Sequence, residues 1–286
     1  GRQLQLETVI DPARPDQRRN PLRILGLTTF IVAASLTTSA RAETEEQLAM
    51  QLSNPVAALI SVPFQLNYER NIGPARDGTR TLLNIQPVVP FSLNTDWNII
   101  SRTIVPVVWQ DDIFPGAGSQ SGVGDIVQSV FFSPKAPTAG GLIWGAGPVF
   151  LVPTGSNDLL TTGQWGAGPT GVVIRQQGPW TIGALANHIW SFAGDSSRAD
   201  VDLTFLQPFV TYTTRTATTF SLNSESTYDW EGRQWTVPIN AGVSQILRFG
   251  GQLVQVGAIA RYWADGPQQA PHGWGLRFTF TLLFPR

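Results

Sequence analysis

From about residue 57 to residue 284 the chain alternates apolar and polar residues with a period of two, segment after segment. In 58–68 the even positions are Ala58, Ile60, Val62, Phe64, Leu66 and Tyr68, and Ser61, Gln65 and Asn67 fall between them. Near the end, Trp274, Leu276, Phe278, Phe280, Leu282 and Phe284 alternate with Gly275, Arg277, Thr279 and Thr281. Successive side chains of a strand point to opposite faces, so this pattern writes a two-faced sheet. Twelve such segments are predicted, at 57–68, 80–92, 97–110, 122–133, 142–153, 164–175, 180–191, 201–213, 217–228, 235–247, 253–264 and 273–284. Strands of ordinary globular proteins cluster near 5–6 residues, whereas a tilted membrane-crossing strand needs about 9–11. The longer class fits these segments. The predicted fold is therefore all-β, a twelve-stranded antiparallel transmembrane β-barrel.

Composition agrees and excludes the rivals. Charged residues make up 14% of the chain, against about 25% in an average soluble domain. Ten Trp are present and the mean hydropathy is −0.01. No run reaches the roughly 18 apolar residues of a spanning helix, and 42% hydrophobic content excludes disorder. A formal charge of −1 argues against a nucleic-acid partner. The absence of cysteine removes thiolate sites, and two histidines are too few for a multi-His metal centre, so no cofactor is expected.

The amino-terminal region reads as an export signal. Arg18, Arg19 and Arg23 precede the apolar run 24–36, and Ala40-Arg41-Ala42 supplies a small-x-small cleavage site. Residues 1–17 then form an upstream extension, 18–42 the signal peptide, 43–56 a short segment with a helix-like stretch ended by Pro55, and 57–286 the barrel. The connections between strands alternate. Long polar loops rich in Asp and Glu follow the odd-numbered strands, and mostly short turns such as Asn94-Thr95-Asp96 follow the even ones. That asymmetry is expected of an outer-membrane barrel. Trp97, Trp109, Trp180, Trp190, Trp235, Trp263, Trp274 and Phe284 fall near strand ends and are assigned to aromatic girdles. Six prolines inside strands, Pro63, Pro87, Pro90, Pro106, Pro208 and Pro238, conflict with a regular ladder and call for bulges or strand ends.

If the apolar face meets lipid, the other face lines the lumen. Gln65, Asn84, Gln86, Arg102, Asn223, Glu225, Asn240, Arg261 and Arg277 are the candidate lumen-lining residues. A cationic side chain facing lipid near the midplane would cost about 2–4 kcal/mol, which directs the arginines inward. There they form either a charge-selective constriction or a structural ion-pair network. The repeat WGAGP at 144–148 and 165–169 is read as small inward residues that leave room in the lumen. Asp111 and Asp112 could bind a divalent cation or bridge lipopolysaccharide, although solvated loop charges are the simpler reading. No catalytic residue is assigned. His188 falls on the apolar face beside Trp190, but Asn187 and Ser191 point the other way and no nucleophile motif follows, so an outer-membrane lipid hydrolase is the weaker rival.

Several segments also carry a family resemblance: NPVAALISVPFQLNYE (54–69), LNIQPVVPFSLNTDWNIISRTIVPV (83–107), GVGDIVQSVFFSPK (122–135), WGAGPVFLVPTGS (144–156), GPWTIGALANHIWSFAGD (178–195), FLQPFVTYTT (205–214) and GWGLRFTFTLLFP (273–285). The sequence resembles a bacterial family of outer-membrane transporters named for the meta-cleavage pathway of phenol degradation, some members of which carry the label neuromedin U. The resemblance implies an outer-membrane channel for small solutes, small aromatic or other organic compounds among them, in a Gram-negative bacterium. Outer-membrane lipids, lipopolysaccharide, the barrel-assembly machinery and a small-molecule solute are the partners expected. The alternative is a structural or adhesive barrel without transport.

Overall fold

The computed structural model describes residues 43–285. The predicted signal peptide and the segment before it lie outside the described residues. One helix, α1 (Glu45–Leu52), precedes fifteen strands. These are β1 (Ile60–Ile72), β2 (Gly78–Ile85), β3 (Val88–Ser92), β4 (Trp97–Asp111), β5 (Ser119–Val123), β6 (Ile126–Pro134), β7 (Leu142–Val152) and β8 (Gln164–Gln177). They continue as β9 (Trp180–Gly194), β10 (Asp202–Thr213), β11 (Thr218–Ser224), β12 (Ser226–Asp229), β13 (Gln234–Phe249), β14 (Gln252–Asp265) and β15 (Gly273–Phe284).

The fifteen strands make a closed antiparallel barrel of twelve staves, because three staves are interrupted: β2 with β3, β5 with β6, and β11 with β12. β1 meets β15 in register from Ile60↔Phe284 to Tyr68↔Leu276 and closes the ring. Closure leaves no sheet edge unpaired, which is what a lipid environment demands of a backbone.

Prolines account for the interruptions. Pro87 lies within the β2/β3 break, and Pro63 faces that break and accepts from Gln86 N at 2.8 Å. Pro106 faces the β5/β6 break and accepts from Gly124 N at 2.8 Å. Pro208 lies between the pairs Leu206↔Ser226 and Phe209↔Asn223, opposite the break at Glu225. Each of these prolines accepts or faces a bond that it cannot return, having no N–H of its own, so regular pairing stops there. Pro238 sits at the register shift in β13.

Side-chain direction follows the predicted alternation. Phe278, Leu276, Phe280, Ile182, Phe220 and Leu222 are exposed on the outer wall, and Asn67, Thr181, Asn240 and Arg277 are buried inside. Trp109, Trp180, Trp190, Trp235, Trp274 and Phe284 are exposed on the outside. Trp97 packs edge-on against Trp144, and Trp180 against Tyr212.

α1 has a capping box: Thr44 Oγ1 accepts from Gln47 N at 3.2 Å, and Gln47 Oε1 accepts from Thr44 N at 2.9 Å. Its apolar side, Leu48 and Ala49, is fully buried against Leu59, Ala217, Ile246, Leu253 and Leu283. Ile246, Leu253 and Leu283 belong to the inner face near the short turns, so α1 lies inside the barrel at its turn end. Val56 continues inward to pack on Ile100, Phe131 and Leu185.

The opposite, loop end is tied by one acid. Asp125, in the β5/β6 break, accepts from Gly155 N (3.0 Å), Thr161 Oγ1 (2.7 Å), Thr162 N (2.6 Å) and Thr162 Oγ1 (2.7 Å). Four bonds to one carboxylate hold the 153–163 loop to the rim. Asp125→Ala is expected to free this loop, with protease cleavage within 154–163 at least tenfold faster and the barrel's β-sheet circular dichroism unchanged. Equal cleavage rates would show that the loop is held by other contacts.

Candidate functional site: an amphipathic lumen with a buried ion network

The inner face has two unlike walls. Along β6 to β10 it is apolar: Phe131, Val149, Val172, Ile174, Leu185 and Ile189 are buried there, with Phe205 and Phe209 packed against them. Along β1, β2, β4 and β11 to β15 it carries the polar and charged residues. A uniformly polar lumen, as the alternation suggests, is therefore corrected on one side. The glycines of the WGAGP repeat do point inward but do not leave open room. A Cβ at Gly145 would lie 3.0 Å from Val56 Cγ1 and 3.4 Å from Phe131 Cβ, so the space is filled by the N-terminal segment and its neighbours.

All nine predicted lumen residues lie on the inner face. Arg277 holds Glu225 through two parallel bonds, Nη1–Oε1 and Nη2–Oε2, both 2.7 Å. Arg261 Nη2 reaches Glu225 Oε2 at 3.3 Å. Asn67 is the hub between the two arginines, its Oδ1 accepting from Arg261 Nη1 at 2.8 Å and from Arg277 Nε at 2.6 Å. Its amide in turn donates to the carbonyls of Gln65 and Leu82, both at 3.1 Å, which fixes its orientation. Arg102 Nη2 donates to Gln86 Oε1, and Gln86 Nε2 donates to Gln65 Oε1, each at 3.0 Å. Asn240 donates to Asn223 at 2.8 Å. Asn84 pairs with Gln65 on the same wall.

Two members of the network fall where the sequence reading places a loop and a strand start. Glu69 and Arg80 extend the first hairpin, with Arg80 Nε and Nη2 donating to Glu69 Oε2 at 2.8 and 2.6 Å. Arg261 Nη1 lies 3.5 Å from Glu69 Oε1. Only 2% of the Glu69 side chain is exposed. Carrying the odd-residue parity of Ser61, Gln65 and Asn67 one step further would have found it.

Trp263 is a correction. It belongs to the inner face of β14, with the Arg261 guanidinium 4.8 Å from its ring centroid. A register shift beside Pro238 places it opposite that proline, and Gly273 and Gly275 on β15 leave space for the indole. It stacks on a cation instead of joining the girdle.

The network holds four arginines, Arg80, Arg102, Arg261 and Arg277, against two glutamates, Glu69 and Glu225. The network itself therefore carries more guanidinium than carboxylate groups. Two cavities of about 170 and 210 Å3 remain beside the 51–59 segment. The first is lined by Arg102, Gln65, Gln86 and Gln207, and the second by Gln65, Gln255 and seven threonine and serine residues among its neighbours. At the base of the second long loop, Asp111 accepts from the Ser119 hydroxyl.

A closed twelve-stave barrel with an apolar outer wall and an ion network inside defines a membrane β-barrel of the outer-membrane type. The sequence matches the family model described as "Putative MetA-pathway of phenol degradation" over residues 67–282, and the chain belongs to that family. Among solved structures it resembles an outer membrane channel from Pseudomonas putida F1. That match has 14% identity and a TM-score of 0.63, covering 79% of this chain and 96% of that one. It also matches the beta domain of the Bordetella autotransporter BrkA, at 12% identity and a TM-score of 0.44, over 79% of this chain and 100% of that one. A loop-deletion form of Vibrio cholerae OmpT matches at 12% identity and 0.41, over 79% and 98%. No curated protein matches the sequence.

Removing one partner of a buried ion pair typically costs about 3–5 kcal/mol, because the remaining charge stays buried and unpaired. Glu225→Ala, which strands Arg261 and Arg277, should lower unfolding stability by about that amount in urea titrations of the detergent-solubilised barrel. Asn223→Ala, which removes one neutral hydrogen bond, should cost about 1 kcal/mol. Equal midpoints for the two variants would show that the ion network does not hold the barrel interior.

Proposed function

We propose that the protein is a passive outer-membrane channel for small organic solutes, and that negatively charged aromatic compounds suit it best. The observation that carries this reading is the two-walled lumen: an apolar wall for a ring or short chain, facing a wall with surplus guanidinium groups for an anionic substituent. The family to which the chain belongs and the fold it shares with a Pseudomonas putida channel support the assignment. On this reading the short turns and α1 face the periplasm, the long acidic loops face outside, and an export signal within residues 18–42 is removed.

The lumen carboxylates argue for transport and against catalysis. Glu69 and Glu225 are each held by guanidinium groups, so neither is free to act as a general base. α1 and the 53–59 segment occupy the turn end and must shift for a solute to pass. Apart from apolar packing of Leu48, Ala49, Val56 and Leu59, their polar anchorage is light: one bond from Gln176 Nε2 to Met50 O at 2.9 Å and an exposed Arg248–Glu45 pair at 3.7 Å.

Planar-bilayer recordings test this directly. The intact chain should show small anion-selective currents, and deleting residues 43–53 should raise single-channel conductance severalfold. Arg102→Ala, which removes a cation bonded only to Gln86 in the network, should move the reversal potential towards cations. A barrel that stays silent even after the deletion would favour a structural or adhesive role.

A further inference from the structure

The outer wall carries a polar cluster that the channel does not use. On the lipid-facing side of β9 and β10, His188 Nδ1 lies 2.7 Å from Thr204 Oγ1. His188 Nε2 lies 3.0 Å from Asp202 Oδ1, although the two are not aligned for a hydrogen bond. Trp230 Nε1 donates to Thr204 Oγ1 at 2.9 Å. With the Thr204 hydroxyl donating to Nδ1, the proton of His188 sits on Nε2, towards Asp202. The His188 ring also lies 4.0 Å from the Trp190 ring, tilted at 50°, and 6.5 Å from that of Trp230, which packs on Tyr228. These indoles place the cluster at the interface level of the loop end.

Below it, towards the turn end, the same wall is hollow. Ala146, Gly171, Ala184 and Ala186 are neighbouring outward positions on β7, β8 and β9 where other staves carry Phe, Leu or Trp. They floor an apolar trough of about 640 Å3, flanked by Trp144 and Val173, with His188 and Thr204 at its upper end. From Ala184 to His188 the trough runs roughly 13 Å along the strand direction. A straight apolar furrow in the wall of a barrel, ending in hydrogen-bonding groups at the headgroup level, has the polarity and the direction of one lipid molecule.

We infer that this trough is a specific binding site for one ester-linked lipid. Its acyl chain would lie over Ala146, Gly171, Ala184 and Ala186, and its ester or headgroup oxygens would be met by Trp230, Thr204 and His188. The hydrocarbon of the chain replaces the missing side chains, and the polar end gives the outward His–Asp pair a partner that bare hydrocarbon cannot. The site stands apart from the lumen and does not rest on the channel reading.

Native mass spectrometry of the full chain with dimyristoyl phosphatidylethanolamine tests it. The unaltered chain should retain one lipid well above the background of weaker adducts. Ala186→Phe, which fills the trough from the outer wall, should reduce occupancy of that lipid at least tenfold. Ala241→Phe, a small outward residue on the far side of the barrel, should leave it unchanged. Thr204→Val together with His188→Phe should weaken retention severalfold while keeping the trough, because only the polar end is lost. Equal retention by the wild type and Ala186→Phe would overturn the site. Release of free myristate by the wild type but not by Thr204→Val would also overturn it, in favour of a hydrolytic centre.

Discussion

Every backbone amide that faces lipid must find its partner within the protein, and this single requirement organises the molecule. It forces closure of β1 on β15, and it makes proline, which has no N–H to give, costly in the ladder. The three interrupted staves are the consequence. Each break lies opposite a proline, and each also frees a residue for other work. Gln86 at the first break turns inward to Arg102 and Gln65, Asp125 at the second pins a long loop, and Glu225 at the third reaches two arginines. Irregularity in the wall thus supplies the lumen with groups that a regular strand would have fixed elsewhere.

The interior is built as a balance of two kinds of burial. On one side apolar side chains from β6 to β10 fill the lumen in the manner of a globular core. On the other a planar guanidinium–carboxylate network fills it with charge. Bidentate geometry between Arg277 and Glu225, with Asn67 bridging Arg261 and Arg277, meets the condition under which buried charges are tolerable: nearly every donor has a partner. Arg261 Nε and Trp263 Nε1 are the exceptions on this wall. They lie together beneath the loop end, where the wall of β14 shifts register.

Much of this architecture is written in the alternation itself. Strand positions, the closed all-β fold and the direction of the nine lumen residues follow from parity, because a period of two admits only two faces. What parity does not say is what the inner face touches. Val172, Leu185 and Phe209 are apolar yet inward, since the N-terminal segment and their own neighbours cover them, and no pattern within a strand reveals that contact. For Trp263 parity does not decide between girdle and cation stack, because a strand-end tryptophan suits either, and only the register shift beside Pro238 settles it. Glu69 is the first charged residue of its strand, where composition suggests an end, although the alternation continues through it and the strand runs on to Ile72. The outward pairing of His188 with Thr204 and Asp202 needed the β9–β10 register, which no single segment contains.

The central claim is that the two faces of each strand meet different solvents, water inside and lipid outside. The chain has no cysteine, so one introduced thiol reports its own surroundings. Reconstituted barrels lacking residues 43–53 and carrying Gln65→Cys, Gln255→Cys or Phe280→Cys can be treated with a membrane-impermeant thiol reagent. Labelling rates should be at least tenfold faster at Gln65→Cys and Gln255→Cys than at Phe280→Cys. Equal rates at all three, or faster labelling at Phe280→Cys, would contradict the assignment of lumen and lipid faces on which the whole account stands.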